Sequence, residues 1–276
     1  MKEVFGLGIH GKYGAGKDYV GDLIRKNRTI PLVQIAFGDV LKEVCSCLVY
    51  AAPLKSEAFQ TQEKKDKPIE FYAPFAMTNR IMFALSYVLD EHNLFDGSGW
   101  REKGPYFGGK KLGEIFDIMH RELSKYIHCD EKEENMRCVP PMSRGKLLQV
   151  VGTDIFRRHI HEDAWVWVVE SRIARYKSMG IPWIVTDVRF PNEIEMIRRQ
   201  RGFVVRIEAP TLTEGTRDHT HPSETACDHI ELPTFNNDRS DGQNQKLLEI
   251  CAAPLHEVIS RMKELPMQKS RFFKET

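Results

Sequence analysis

The run Val4-Phe5-Gly6-Leu7-Gly8-Ile9-His10-Gly11-Lys12-Tyr13-Gly14-Ala15-Gly16-Lys17-Asp18 decides the fold: a strand-like apolar segment stops in glycines and a lysine. Beyond it, Tyr19, Val20, Leu23 and Ile24 recur on one helical face. Gly11, four residues, then Gly16-Lys17 is the spacing that turns backbone N–H groups into one concavity. A helix N-terminus stands behind it, and a lysine extends to a terminal phosphate oxygen. A Cβ at the glycines would block that approach. Gly11, Lys12, Gly14, Ala15, Gly16, Lys17, Asp18 and Tyr19 are the candidate phosphate contacts. The plainer alternative is a glycine turn, against which stand the strand before it and the helix after it. Asp18 occupies the place where Ser or Thr normally offers a hydroxyl to Mg²⁺. A carboxylate there binds the metal directly or through water, or caps the helix start, and the sequence does not rank these.

The chain has 276 residues, which fits one large α/β domain with insertions, the preferred reading, as easily as two small domains, and a net charge of +1 from 40 basic and 39 acidic side chains. No global field recruits nucleic acid or a membrane surface, so an anion has to be met by a local cluster. The longest apolar runs fall well short of a bilayer span, and the N-terminus enters a strand at once; a soluble, cytoplasmic protein is expected. Cys45, Cys47, Cys129, Cys138, Cys227 and Cys251 form no CxxC pair and are expected as free thiols. His219 and His221 near Cys227 read as a polar loop rather than a metal cluster.

Leu32-Val33-Gln34-Ile35-Ala36-Phe37 alternates as a strand, and Val40, Leu41, Val44 and Leu48 then recur at helical spacing, with Lys42 on another face. A helix is expected from about 74 to 91, with Arg80 off its apolar face, and another around Leu112, Ile115, Met119 and Leu123. Residues 95–111 and 128–144 read as exposed loops. A helix from about 145 to 160 carries Gln149 through Arg158, and the next has Asp163 as its N-cap. The adjacent Arg157 and Arg158 fit either a solvated surface or a lid closing on phosphates, where a guanidinium fork binds oxygens bidentately.

Pro182-Trp183-Ile184-Val185-Thr186-Asp187-Val188-Arg189 is an apolar strand delivering an acid and then a base at its C-terminal end. A magnesium-organising carboxylate sits there in parallel-sheet sites; the plainer role for Asp187 is to end the strand and cap the helix from Glu193 to Arg199. Gly202 to Glu208 repeats the β pattern, so strands and helices alternate, as in a parallel sheet covered on both faces. His229-Ile230-Glu231-Leu232 is expected as a short edge strand, a final helix breaks near Pro254, and the end from Gln268 is expected to fray.

With these residues together, the chain resembles the deoxynucleoside monophosphate kinases of large phages and related DNA viruses. The likeness rests on residues 11–18, Phe37 with Lys42, Leu148-Gln149-Val150-Val151-Gly152-Thr153-Asp154 with Arg157, and Asp163-Ala164-Trp165-Val166. It continues in Thr186-Asp187-Val188-Arg189-Phe190-Pro191-Asn192-Glu193, His221-Pro222-Ser223-Glu224 and Phe235-Asn236-Asn237. The resemblance implies an α/β, adenylate-kinase-like three-layer P-loop kinase fold with a central parallel sheet of about five strands. It implies one domain over 1–265, with 55–145 as a helical and loop insertion in the monophosphate-binding region, 145–165 as a lid-like segment and 266–276 as a tail. It also implies ATP and Mg²⁺, transfer of a γ-phosphoryl group to a deoxynucleoside monophosphate, and a homodimer; a viral chain would act in the host cytoplasm.

On this reading Lys17, Asp187 and Arg157 are catalytic, and Asp18 and Asp187 organise the metal. Phe37, Lys42, Gln149, Arg157, Arg158, Trp165, Arg189 and Glu193 meet the substrate, Phe37 and Trp165 as flat apolar surface for a base. Two other readings stay open: a different small-molecule P-loop kinase, since phosphomevalonate kinase of animals is similar around a Gly-Lys-Asp loop, and a nucleotide-binding assembly protein without turnover.

Overall fold

Leu7 and Ile9 alternate with Gly6, Gly8 and His10 to make strand β1 (Gly6–His10), buried along its whole length. A strand covered on both faces belongs in the middle of a sheet. In the computed structural model, which describes residues 5–26, 32–50, 67–71, 76–88, 106–107, 109–129, 136–209, 220–238, 240–253 and 255–271, it does lie there. The other strands are β2 (Val33–Ile35), β3 (Trp183–Val188), β4 (Gly202–Glu208), β5 (Leu232–Asn236) and β6 (Met267–Gln268). Their spatial order is β6-β5-β4-β1-β3-β2; the first five in sequence run parallel and β6 joins β5 antiparallel. The expected parallel sheet of about five strands is present, with one short strand added.

The helices are α1 (Lys17–Lys26), α2 (Gly38–Tyr50), α3 (Met77–Phe83), α4 (Leu112–Leu123), α5 (Arg144–Gln149), α6 (Ala164–Ser178), α7 (Pro191–Arg199), α8 (Pro222–Thr225), α9 (Asp241–Ala252) and α10 (Leu255–Lys263). On one face of the sheet Leu7, Ile9, Ile184, Val205, Ile207 and Phe235 form a core with Val20 and Ile24 of α1, Leu247 and Cys251 of α9, and Val258 and Met262 of α10. On the other face α7 lies so close that a Cβ on Gly8 would come within 2.6 Å of Ile197. Three layers result, helices over both faces of the sheet.

The described residues cluster into two compact units. The sheet unit is built from the described parts of Met1–Phe37, Val169–Glu214 and His219–Thr276, and the helical unit mainly from Gly38–Val168. The division falls at Phe37, well before the expected start of an insertion at 55, because α2 packs on α3, its π-helical continuation Ala84–Val88, and α5. In the helical unit α5 continues with π-type winding through Val150–Ile160. There Trp165 and Phe156 pack ring to ring, 4.7 Å between centroids.

Several expectations need correcting. The strand sought at 229–232 is β5, shifted to Leu232–Asn236 and flanked by β4 and β6, so it is not an edge; Pro233 and Asn236 disguise its pattern. The described part of the tail, up to Arg271, is tied down: Met267–Gln268 pairs with β5, and Arg271 bonds Glu208 from its Nε at 3.0 Å. Arg80 is 1% exposed, donating from Nη1 to Leu48 O (2.9 Å) and Val49 O (2.8 Å), where a cation suits the carbonyl end of α2. The loop expected at 95–111 ends in a short hairpin of Tyr106–Phe107 with Lys110–Lys111, and that at 128–144 contains another, Ile127–Cys129 with Met136–Cys138. The remaining parts of these loops, and most of the expected insertion between 51 and 105, lie outside the described residues.

Candidate phosphate-binding site

The glycine loop leaves the C-terminal end of the central strand and turns straight into α1. Gly14 and Gly16 have φ of 79° and 92°, a region that residues with a Cβ rarely enter. A Cβ on Gly11 would stand 2.7 Å from the Ile207 carbonyl oxygen, so the loop can lie against β4 only as glycine. Lys17 opens α1 and is 7% exposed, whereas Asp18 and Tyr19 are exposed.

Three side chains from one later segment hold this loop. Glu224 Oε2 accepts from Tyr13 N–H at 2.9 Å, Asp228 Oδ2 accepts from Lys12 Nζ at 2.7 Å, and Asn237 Nδ2 donates to Ala15 O at 3.2 Å. Lys12 is therefore tied to a buried carboxylate, with its side chain only 10% exposed. None of these three partners follows from local sequence pattern.

Asp187 stands at the end of β3, beside β1. The register between these strands slips by one residue, since Gly8 pairs Val185 whereas His10 pairs Val188. Such a slip re-aims side chains at a strand end. Asp187 Oδ1 accepts from Phe37 N–H at 2.7 Å, which fixes the carboxylate's orientation. Asp18 and Asp187 supply the hard oxygen donors of which Mg²⁺ takes one or two, completing its octahedron with water and phosphate. The donor chemistry fits. Among the described residues no group of three or more His, Cys, Asp or Glu forms an all-protein metal cage; His219 lies outside them, and His221 caps α8 instead, its Nδ1 accepting from Ser223 N–H at 3.2 Å.

Arg189 donates from Nη1 to Glu224 Oε1 (2.5 Å) and to Ser223 O (3.2 Å). Glu193 Oε2 accepts from the backbone N–H groups of Arg189 (2.6 Å) and Phe190 (3.1 Å), so this carboxylate caps α7 and shapes the Asp187–Arg189 turn. Its expected contact with substrate gains no support from that geometry.

Beneath the loop His10 donates from Nδ1 to Val188 O at 2.9 Å. Burial, then the charge of Arg206, with smaller effects of Arg189 and Lys17, lower its pKa to about 3. The imidazole is thus neutral, its charged form disfavoured by burial and by the cations of Arg206, Arg189 and Lys17. Arg206 itself is 1% exposed and is held by the carbonyls of Gln268 (2.7 Å), Cys227 (2.8 Å) and Ile230 (2.8 Å). Burial lowers its pKa as well.

In the helical unit Arg157 is half-buried and donates from Nη1 to Glu162 O at 2.7 Å, while Arg158 is exposed. Lys42 pairs with Asp39 at 3.4 Å in the first turn of α2, and Gln149 is buried at 4% exposure. Trp165 is 3% exposed and donates from Nε1 to Gly152 O at 2.9 Å; Phe37, in the sheet unit, is 4% exposed. Both rings are packed rather than presented. Thiol chemistry finds no support: burial pushes the Cys45 thiol up and Cys47 up to about 12.

A sheet in the order β2-β3-β1-β4-β5, with a glycine loop and lysine on its central strand and an acidic residue ending the next, defines a P-loop kinase. The family model for deoxynucleotide monophosphate kinase matches residues 110–232. The chain is 26% identical over 254 residues to the deoxynucleoside-5'-monophosphate kinase of Escherichia phage T5, covering 88% of this chain and 93% of the phage protein. It is 31% identical over 135 residues to an uncharacterized protein of Ictalurid herpesvirus 1, covering 48% of this chain and 54% of the relative. A protein of Acanthamoeba polyphaga mimivirus provisionally named a deoxynucleotide monophosphate kinase is 31% identical over 95 residues, 31% of this chain and 48% of its own. No helix among the described residues is long and apolar enough to cross a membrane.

Proposed function

We infer that this chain transfers the γ-phosphoryl group of ATP to deoxynucleoside monophosphates, giving the diphosphates and ADP. The observation that carries the reading is the loop Gly11–Asp18, held in left-handed backbone at Gly14 and Gly16 on the central strand of a chain matching this kinase family. Phosphoryl transfer asks little covalent chemistry of a protein. It needs two polyanions positioned in line and their charge neutralised.

The amides of the loop and the N-terminus of α1 bind phosphate oxygens, and Lys17 holds the β- and γ-phosphates. Asp18 and Asp187 are the residues that would hold Mg²⁺, which when bound neutralises charge on the transferring group. Arg157 and Arg158 give guanidinium donors to phosphoryl oxygens, Arg157 in the transition state, and Lys42, Gln149 and Arg189 are the further polar groups assigned to the acceptor. The resemblance alone supports a homodimer, which sedimentation would read out.

The test is a coupled assay of ADP release with and without each deoxynucleoside monophosphate. Acceptor-dependent turnover is expected. ATP binding with no acceptor dependence would make the chain a nucleotide-binding module instead.

A further inference from the structure

We propose that Glu224 is a positioning residue that sets Arg189 for a substrate phosphoryl group and locks it to the glycine loop. The proposal rests on the kinase reading. The Glu224 side chain is fully buried, and its two oxygens go to two different tasks: Oε2 takes the Tyr13 N–H and Oε1 takes Nη1 of Arg189. Tyr13 lies in the phosphate loop and Arg189 just past the strand that ends in Asp187, 211 and 35 residues from Glu224 along the chain respectively.

Two consequences follow from that bridge. First, the Tyr13 amide points at a carboxylate and so is not part of the anion cradle. Second, only Nη1 of Arg189 is used. Among the described residues its Nε and Nη2 make no hydrogen bond, and the side chain is 15% exposed. A guanidinium gripped on one nitrogen by a fixed carboxylate presents its other edge in one orientation, and that Nε–Nη2 edge matches two oxygens of a phosphoryl group bidentately. A charge-assisted bond from a buried carboxylate is the means by which a supporting residue orients one that meets a ligand. The ligand class is a phosphate monoester or its transferring phosphoryl group.

The test is a double-mutant cycle of Glu224→Gln and Arg189→Gln on the full chain, read in acceptor kcat/KM and in the affinity of a bisubstrate analogue joining adenosine and deoxythymidine through five phosphates. Glutamine keeps the size of Glu224 but cannot accept from both donors. Each single variant should lose about 10- to 100-fold in both readouts, and the double variant should be no worse than Arg189→Gln alone. Losses that multiply, or a Glu224→Gln protein with wild-type values, would overturn the proposal.

Wild-type turnover tests the kinase reading separately, and analogue affinity scores the coupling whatever that turnover is. If Glu224→Gln does not fold, Arg189→Lys decides: it keeps the charge opposite Glu224 but has no second edge. It should lose as much as Arg189→Gln, and wild-type kcat/KM and affinity in Arg189→Lys would overturn the proposal.

Discussion

Two arginines of the sheet unit, Arg189 and Arg206, and two of the helical unit, Arg157 and Arg158, are held in opposite ways. Arg206 is closed in by three carbonyls and Arg189 is gripped by a buried carboxylate, whereas Arg157 is half-buried and donates to a carbonyl five residues on, and Arg158 is exposed. A buried guanidinium cannot leave its partners without orphaning them, at a cost of about 1–3 kcal/mol per group. An exposed one can reorient at little cost. The first kind shapes a site, and the second is suited to following a charge that moves during a reaction.

The largest effect should come from Lys17, which on the proposed reading belongs to neither kind because it would meet the phosphate directly. Lys17→Ala should lower kcat by about a thousandfold or more with the folded state intact, as circular dichroism and steady-state rates would show. Near-wild-type turnover would remove the loop from the mechanism. Next comes Arg157→Ala, expected to cut kcat by about 100- to 1000-fold while ATP affinity changes little. Arg158→Ala should cost no more than about tenfold. Equal, small effects on rate and binding would make Arg157 a surface charge.

The contrast sharpens with Arg206→Ala, whose cost should fall on stability: about 3 kcal/mol or more in denaturant unfolding, because one buried and two part-buried carbonyls lose their donor. Full stability combined with lost turnover would put Arg206 among the substrate contacts. The smallest effect is a pH slope. His10 in the folded state stays neutral down to about 3, while the unfolded chain takes up a proton below about 6.5, so stability falls as pH drops through that window. By pH 5 the loss is about 2 kcal/mol, from roughly 1.4 kcal/mol per pH unit. His10→Asn, which keeps a donor for Val188 O, should flatten this part of the profile, and an unchanged slope would show that other groups cause it.

The parts of the fold readable from sequence are those whose signal is local. β1, β3 and β4 announce themselves by apolar runs, and the glycine loop by a spacing that only one backbone arrangement uses. Asp187 was legible for the same reason, as the acid that ends a strand. What escaped depends on distance along the chain. Glu224, Asp228 and Asn237 reach the loop across 211, 216 and 222 residues, and no periodicity marks such pairs.

Arg80 reads as the polar side of its helix, yet it caps the carbonyl end of α2, because a guanidinium can be buried wherever carbonyls converge. Trp165 reads as a base platform and is packed on Phe156, since an aromatic residue suits a core and a ligand equally well.

Acceptor choice tests the central claim most directly. Steady-state kcat/KM should be measured for dGMP, dTMP, GMP and AMP with saturating ATP and Mg²⁺. A pocket that rejects an added 2′-hydroxyl by crowding does so by roughly a hundredfold at most, so a deoxynucleotide preference of up to that size, without absolute exclusion of ribonucleotides, is the expected result. Equal or better use of GMP and AMP would contradict the deoxynucleotide assignment, and ADP release indifferent to all four acceptors would contradict the kinase itself.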